Sequence, residues 1–379
     1  MKAAVCVETG SPLVIEDIPI PEPRAGEVLV HNHACGVCHT DLHVMKGEVG
    51  FPLPGVLGHE ISGIVAQVGA GVTNVVPGDR VVGSFIMPCG RCENCGRGME
   101  DLCSTFFEYN RLRGTLYDGE TRLHRADGEP LSMYSMGGMA EYSVTPATSV
   151  FRLPDEVDLT ASAILGCSLF TAYGAVRNVG GVRTGESVAV IAVGGVGQNI
   201  VQLSAVSGAE SVIAIDVDDD KLDLARRMGA THTVNSARVD AADAVAEITG
   251  GRGVDVAFEA LGSAGTTSLA VNISREGGRA VVVGIPPAGT TLDVDLARIV
   301  RRKIQLKGSY GARARRDVPD IIRLLVAGKL DLGGVISRRV GLDEAPETYQ
   351  ALDRGEILGR AGRCGGSRGG RPGWDHPPA

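Results

Sequence analysis

From about residue 158 onward, apolar strands alternate with helical stretches, and this alternation limits the possible folds more than any other feature of the chain. Ser187–Val193, Ser211–Ile215, Val254–Phe258 and Arg279–Val283 read as strands, with Gln198–Ser207 and Lys221–Met228 as helices between them. Such a series builds a parallel sheet with helices on both faces. The first strand runs into a glycine-rich turn, in which Gly194, Gly195, Val196 and Gly197 precede the helix. Glycines there let the backbone approach a pyrophosphate, whose charge then sits at a helix N-terminus. The fingerprint is imperfect, because Ala192 stands at the first glycine position, and slightly looser turn geometry is expected. About twenty residues on, the second strand ends in Asp216, where an acid can bond ribose hydroxyls. Asp218, Asp219 and Asp220 follow and would repel a 2′-phosphate, so NAD is expected rather than NADP.

The N-terminal part has a different texture. Val28-Leu-Val, Ser62–Val68 and Arg80-Val-Val are short strands separated by glycine and proline, which describes a small all-β unit, expected to be a barrel. At 379 residues the chain has room for two domains or three. Lys and Arg number 37 against 45 Asp and Glu, a net charge of −8. That balance makes nucleic acid and anionic membranes poor partners. No apolar run approaches the roughly 18 residues that span a bilayer, and no signal-peptide core opens the chain. A cytoplasmic protein acting on a small molecule is expected.

The cysteines and histidines cluster. Six of nine cysteines lie between Cys35 and Cys103, and five of eight histidines precede residue 60. An odd count without an export signal argues against a disulfide framework and for metal. Cys89, Cys92, Cys95 and Cys103 are spaced C-x2-C-x2-C-x7-C, which lets four thiolates close a tetrahedron around a structural Zn²⁺. An iron–sulfur run would continue with a three-residue gap and Cys-Pro, whereas here the gap is seven and Ser104 follows. The remaining candidates, Cys35, Cys38, His39, His43, His59 and Cys167, are scattered as ligands of a catalytic metal would be. Spacing alone does not choose between Cys35 and Cys38.

Three runs resemble one family. Gly58-His-Glu-Ile-Ser-Gly continuing to Gly69 and Val72, Cys35-Gly-Val-Cys-His-Thr-Asp-Leu-His, and Leu165-Gly-Cys-Ser-Leu-Phe-Thr-Ala-Tyr-Gly are similar to segments of the zinc-dependent medium-chain alcohol dehydrogenases. The resemblance covers residues 1 to about 360. It implies an α/β protein with a GroES-like β-barrel catalytic domain over 1–168, carrying a zinc lobe at about 86–104. A Rossmann doubly wound domain at 169–310 and a return to the catalytic domain at 311–360 complete it.

The resemblance also implies roles. Cys38, His59 and Cys167 resemble the catalytic zinc ligands, with Asp41 and Glu60 as carboxylates behind them, and the four-cysteine lobe resembles the structural zinc site. Two zinc ions per chain are therefore expected. Thr40 and His43 resemble a proton relay and His39 a pyrophosphate contact, while Lys221 and Arg360 join Gly194–Gly197 and Asp216 around NAD. The implied reaction is reversible hydride transfer between an alcohol and NAD. Oxidation of a thiol–aldehyde adduct and a non-catalytic cofactor-binding role are the alternatives. Full retention of Cys38, His59, Cys167, Thr40 and His43 argues against the last.

The segment Arg113-Gly-Thr-Leu-Tyr-Asp-Gly-Glu-Thr-Arg resembles a loop kept in dimeric members, so a homodimer is expected. The glutathione-using branch carries an Arg four residues past the last zinc cysteine. Phe107 stands there, although Arg111 and Arg113 keep a thiol adduct possible. Phe85 resembles an aromatic wall of the substrate pocket. After Arg360 the sequence departs from the family: Ala361 onward is glycine- and arginine-rich where apolar strand formers belong, as an altered reading frame would produce. Residues 361–379 are accordingly expected to be disordered, leaving a sheet edge unpaired.

Overall fold

Valine-rich strands that bury both faces give the chain its C-terminal layer. All six residues of Val254–Glu259 are buried, as are four of five in Ser187–Ile191. In the computed structural model, which describes residues 1–364, these strands lie side by side and parallel. The whole sheet runs His232–Asn235, Ser211–Asp216, Ser187–Ile191, Val254–Glu259, Ser274–Val282, Gln305–Gly308, every pair parallel. Taken in chain order this is 3-2-1-4-5-6, the doubly wound arrangement. Its crevice opens at the C-terminal ends of the first and fourth strands. The turn after Ile191 is placed at that crevice, and helix Gly195–Val206 follows it.

The N-terminal layer is built on the long strand Glu27–Val37. Irregular pairing with Ile61–Val68 near Leu29 and near Asn32 bends it. One end pairs with Tyr142–Pro146 and the other with Arg360–Cys364, both antiparallel. A second sheet packs Lys2–Cys6 between Val14–Asp17 and Gly55–Val56. One core runs through both layers: Val30, Val65, Ile86 and Leu165 belong to the same buried cluster as Val190, Val201 and Phe258.

The expectation for residues 361–379 needs correction. Arg360–Cys364 is an interior strand, held by Ile336–Val340 on one side and Glu27–Val37 on the other, with Ala361 buried. Backbone pairing on both sides compensates for side chains with little strand preference, since ladder hydrogen bonds do not depend on residue type. The sheet edge expected to be unpaired is paired. Residues 365–379 lie outside the described residues.

Ala192 adopts φ +67°, the left-handed region that glycine tolerates best. Its carbonyl oxygen lies 2.1 Å from where a Cβ on Gly197 would stand, so Gly197 has no substitute. Replacing Ala192 by glycine relieves a backbone cost of about 1–2 kcal/mol. Extra unfolded-chain entropy offsets about half of this. We expect Ala192→Gly to raise the thermal midpoint by about 1–2 °C, read by differential scanning calorimetry, with an unchanged or lower midpoint contradicting it.

Candidate active site

Four residues from three parts of the chain each bring one donor atom within 4.8 Å of the others: Cys38, His59, Glu60 and Cys167, all buried. Cys38 follows the end of strand Glu27–Val37, and His59 and Glu60 immediately precede Ile61–Val68. Cys167 sits between the turn Ala161–Gly166 and helix Ser168–Tyr173. Gly58 has φ +92°, and a Cβ there would come within 2.6 Å of the Met139 amide nitrogen. That turn aims His59 inward.

The imidazole is fixed from behind. Its Nδ1 lies 2.9 Å from Asp41 Oδ1, which also accepts from the Gly58 amide at 3.1 Å. The Tyr349 hydroxyl donates to Asp41 Oδ2 at 2.8 Å. With Nδ1 committed, Nε2 is the nitrogen left for the cluster. Burial alone would lower the His59 pKa, but Asp41 and Cys38 reverse this and hold it at about 10. Cys38 lies well below the ordinary thiol range because the Cys167 thiol donates to it, with Arg360 and His59 assisting against burial. Cys167 is raised by the same hydrogen bond and by burial.

Glu60 reaches the cluster itself, which the sequence reading placed behind the ligands. Gly36 makes room, since a Cβ there would fall 1.8 Å from Glu60 Oε2. Burial pushes the carboxyl up to about 7, against the pull of Arg360, whose Nη2 is 3.0 Å from Oε1. That ion pair lacks hydrogen-bond geometry, so both carboxylate oxygens still have room for a cation. Two soft thiols, an oriented imidazole and a carboxylate, all out of water, suit a divalent cation such as zinc. Cys35 is buried in the same region but lies outside the group, its Sγ 3.6 Å from the Gly36 carbonyl oxygen.

The second cluster is Cys89, Cys92, Cys95 and Cys103, again within 4.8 Å of one another. Cys92 and Cys103 sulfurs are 3.9 Å apart, against about 3.8 Å for the edge of a tetrahedron with 2.3 Å zinc–sulfur bonds. Backbone amides of Cys89, Cys92 and Phe106 point at sulfurs 3.3–3.5 Å away, the support that thiolates need. This donor set also fits zinc.

Arg360 joins the first cluster to the glycine turn. It is buried, and its Nε, Cδ and Cγ stand 3.0–3.1 Å from where a Cβ on Gly195 would lie. Asp216 closes the turn from the other side, its Oδ2 accepting from the Val193 amide at 2.9 Å and its Oδ1 from Val217. Asp218 caps helix Asp219–Arg227 through the amides of Asp220 and Lys221. Asp219 is paired with Arg238 and Asn235. The acidic run thus has structural duties as well as its charge.

Aromatic rings wall the cluster. Phe85 and Tyr134 stand 6.0 and 5.8 Å from the His59 ring, and Phe85 meets Phe170 and Tyr310 edge-on. Of the expected relay, Thr40 Oγ1 is 3.5 Å from Cys38 Sγ, while His43 bonds Glu48 through Nδ1 and is partly exposed. His39 is exposed on the first turn of the same helix.

Residues 24–155 match the family model of the alcohol dehydrogenase GroES-like domain, and residues 195–327 that of the zinc-binding dehydrogenases. The chain belongs to the zinc-dependent medium-chain alcohol dehydrogenase family. It is 35% identical to the NDMA-dependent alcohol dehydrogenase of Amycolatopsis methanolica, over 94% of this chain and 97% of that one. It is 31% identical to the S-(hydroxymethyl)glutathione dehydrogenase of Paracoccus denitrificans, over 94% and 98%. Among solved structures, benzyl alcohol dehydrogenase from Acinetobacter calcoaceticus superposes with a TM-score of 0.90 at 30% identity, covering 96% of this chain and 99% of that one. Membership accounts for both the GroES-like and the Rossmann layers. Tyr349 and Tyr134, by contrast, carried no sequence signal. Each is a lone tyrosine far from the motifs, and only folding brings it to Asp41 or His59.

Proposed function

We propose that the chain is an NAD-dependent zinc alcohol dehydrogenase in which Cys38, His59 and Cys167 hold the catalytic ion and Cys89, Cys92, Cys95 and Cys103 a structural one. The observation that carries this reading is the convergence of three separate segments on one buried donor set, tied through Arg360 to the glycine turn. The domains follow as 1–168 with 311–360 around the metal and 169–310 around the dinucleotide. When bound, zinc supplies the Lewis acidity that makes a substrate hydroxyl acidic near neutrality, and NAD⁺ supplies the hydride acceptor.

The remaining work falls to the chain. Asp41 and Tyr349 hold His59 in one tautomer and orientation. Thr40 receives the substrate's hydroxyl proton and hands it outward toward His43, whose partly exposed ring passes it to solvent with Glu48 as its partner. Phe85, Tyr134 and Phe170 exclude water and orient the carbinol carbon toward the nicotinamide. Gly194–Gly197 and the helix they open receive the pyrophosphate, with His39, Lys221 and Arg360 around it. The net change is alcohol plus NAD⁺ to aldehyde, NADH and a proton.

Asp216 beside the turn favours NAD, since a 2′-phosphate would face a carboxylate already fixed by three backbone amides. Steady-state rates with both dinucleotides and a panel of alcohols test this. NADH formation without added thiol, with kcat/KM for NAD at least ~50-fold above NADP, is expected from like-charge exclusion. A requirement for glutathione would establish the thiol-adduct reading, and no turnover by zinc-loaded protein would leave the non-catalytic one.

A homodimer is supported by the edge strand Gln305–Gly308. Leu306 on it is exposed, as are Leu296 and Val300 on the helix leading to it. An apolar, unpaired edge invites pairing with a second copy. Sedimentation should give twice the 39.4 kDa chain mass, with Val300→Glu plus Leu306→Lys shifting it to monomer; a monomeric parent protein contradicts the reading. No helix among the described residues is long and apolar enough to cross a membrane. No disulfide joins the cysteines whose side chains are described, which suits the cytoplasm.

A further inference from the structure

One buried cation at the aromatic wall has no counterpart. All three guanidinium nitrogens of Arg111 are shielded from solvent, and no acceptor meets them with hydrogen-bond geometry, the Tyr310 hydroxyl being the polar group beside them. The group stands over rings instead, its Cζ 4.0 Å from the Tyr134 centroid, 5.0 Å from Phe106 and 5.7 Å from Phe85. Burial works against its charge, while the Tyr134 and Tyr310 phenols and Asp41 favour it, and it stays protonated. Asp41 is no partner, since both of its oxygens are taken by His59, Gly58 and Tyr349. Arg113, two residues on, shows the usual outcome: it is exposed and paired with Glu108 at 2.7 Å.

Contacts with ring faces compensate part of the desolvation of an arginine but leave its five N–H donors unused. A site that keeps such donors dry and unpaired is built for an acceptor that arrives with a ligand. The position of Arg111 says where that ligand sits. Tyr134 and Phe85 are each neighbours of both the guanidinium, at 4.0 and 5.7 Å, and the His59 ring, at 5.8 and 6.0 Å. The anchor and the candidate metal cluster thus share two aromatic neighbours, which places them in the same apolar surroundings.

We propose that Arg111 binds a carboxylate carried by the substrate, so that the alcohol oxidised here is an anionic one with an apolar or aromatic body between carboxylate and carbinol carbon. The planar guanidinium fork matches a carboxylate in two hydrogen bonds, which Lys could not reproduce. This inference rests on the proposed alcohol oxidation at Cys38, His59 and Cys167 and leaves its hydride balance unchanged. The carboxylate could belong to the alcohol itself or to a glutathione adduct of an aldehyde, and the test separates the two.

The experiment compares para-hydroxymethylbenzoate, benzyl alcohol, and formaldehyde with glutathione as substrates of the zinc-loaded full-length protein and of Arg111→Met and Arg111→Lys. The wild type is expected to prefer the carboxylate alcohol by ~10²-fold in kcat/KM, with Arg111→Met removing the preference and sparing benzyl alcohol within about threefold. Arg111→Lys should keep a part of it. A preference for the glutathione adduct that Arg111→Met abolishes assigns the carboxylate to glutathione. Equal rates on the two benzylic alcohols in wild type and variant overturn the proposal. If no alcohol turns over, the dehydrogenase reading fails separately, and calorimetric binding of benzoate still decides on Arg111. Tighter binding by wild type than by Arg111→Met, at least ~10-fold, supports the carboxylate site, and equal binding rejects it. Should Arg111→Met not fold, wild type against Arg111→Lys gives the same comparison.

Discussion

Cys167→Ser should bind one zinc per chain where the parent protein binds two, and should lose at least ~10³-fold in turnover. The size follows from the several kcal/mol of charge stabilisation that a Lewis acid contributes, at about 1.4 kcal/mol per tenfold. Serine is close in shape to cysteine, but its hydroxyl is a poor replacement for a thiolate toward a borderline-soft ion. His59 stays fixed by Asp41 and Tyr349, and the second cluster is untouched, so the fold should survive. Cys95→Ser makes the contrast. Its sulfur belongs to Cys89, Cys92 and Cys103, and losing that ion should lower thermal stability much more than it lowers the rate per folded, zinc-loaded site. Metal content by plasma mass spectrometry and alcohol-dependent NADH formation, on both variants, read the two effects apart. Two zinc ions retained in Cys167→Ser, with activity intact, would remove Cys167 from the ligand set.

The fold was open to reading because its signals are local. Periodic apolar strands fix the parallel sheet, and the glycine turn with Asp216 about twenty residues later fixes where its crevice lies. The four-cysteine lobe is legible for the same reason: all its donors lie within fifteen residues. The other metal cluster is assembled from three segments, the last of them more than a hundred residues beyond the others, so spacing could not separate Cys35 from Cys38. Resemblance pointed to Cys38, and the structure places Cys38, not Cys35, with His59 and Cys167. Glu60 was expected behind the ligands and instead reaches in among them, because Gly36 opposite has no side chain to hold it back. Composition misled at residues 361–364. Glycine and arginine argue against a strand in isolation, but Arg360–Cys364 has partners on both sides, and pairing overrides propensity. In the sequence Arg111 stands out, with Arg113, only as a basic residue that keeps a thiol adduct possible; that its nitrogens are buried among aromatic rings is a property of packing.

Arg360 carries the second large effect, because it is buried against Glu60 and also touches the glycine turn. Removing one member of a buried ion pair leaves the other charge uncompensated, at a typical cost of 3–5 kcal/mol. Arg360→Met keeps the stem that packs on Gly195 and deletes only the charge, so the loss of stability should be about 3 kcal/mol, the lower end, with zinc nearby still favouring the ionised Glu60. Glu60→Gln on the Arg360→Met background should return most of that loss, since the carboxylate left without its cation is gone, and such coupling is what a double-mutant cycle isolates. Chemical denaturation of the four proteins measures it. Binding should suffer too: the KM for NAD should rise by ~10-fold or more as a charge near the phosphates disappears, while kcat changes less. A drop in stability without any change in KM would confine Arg360 to Glu60. A rise in KM without loss of stability would mean that Glu60 is already balanced by the metal, and the two sites would then be joined through the ion and not through this arginine.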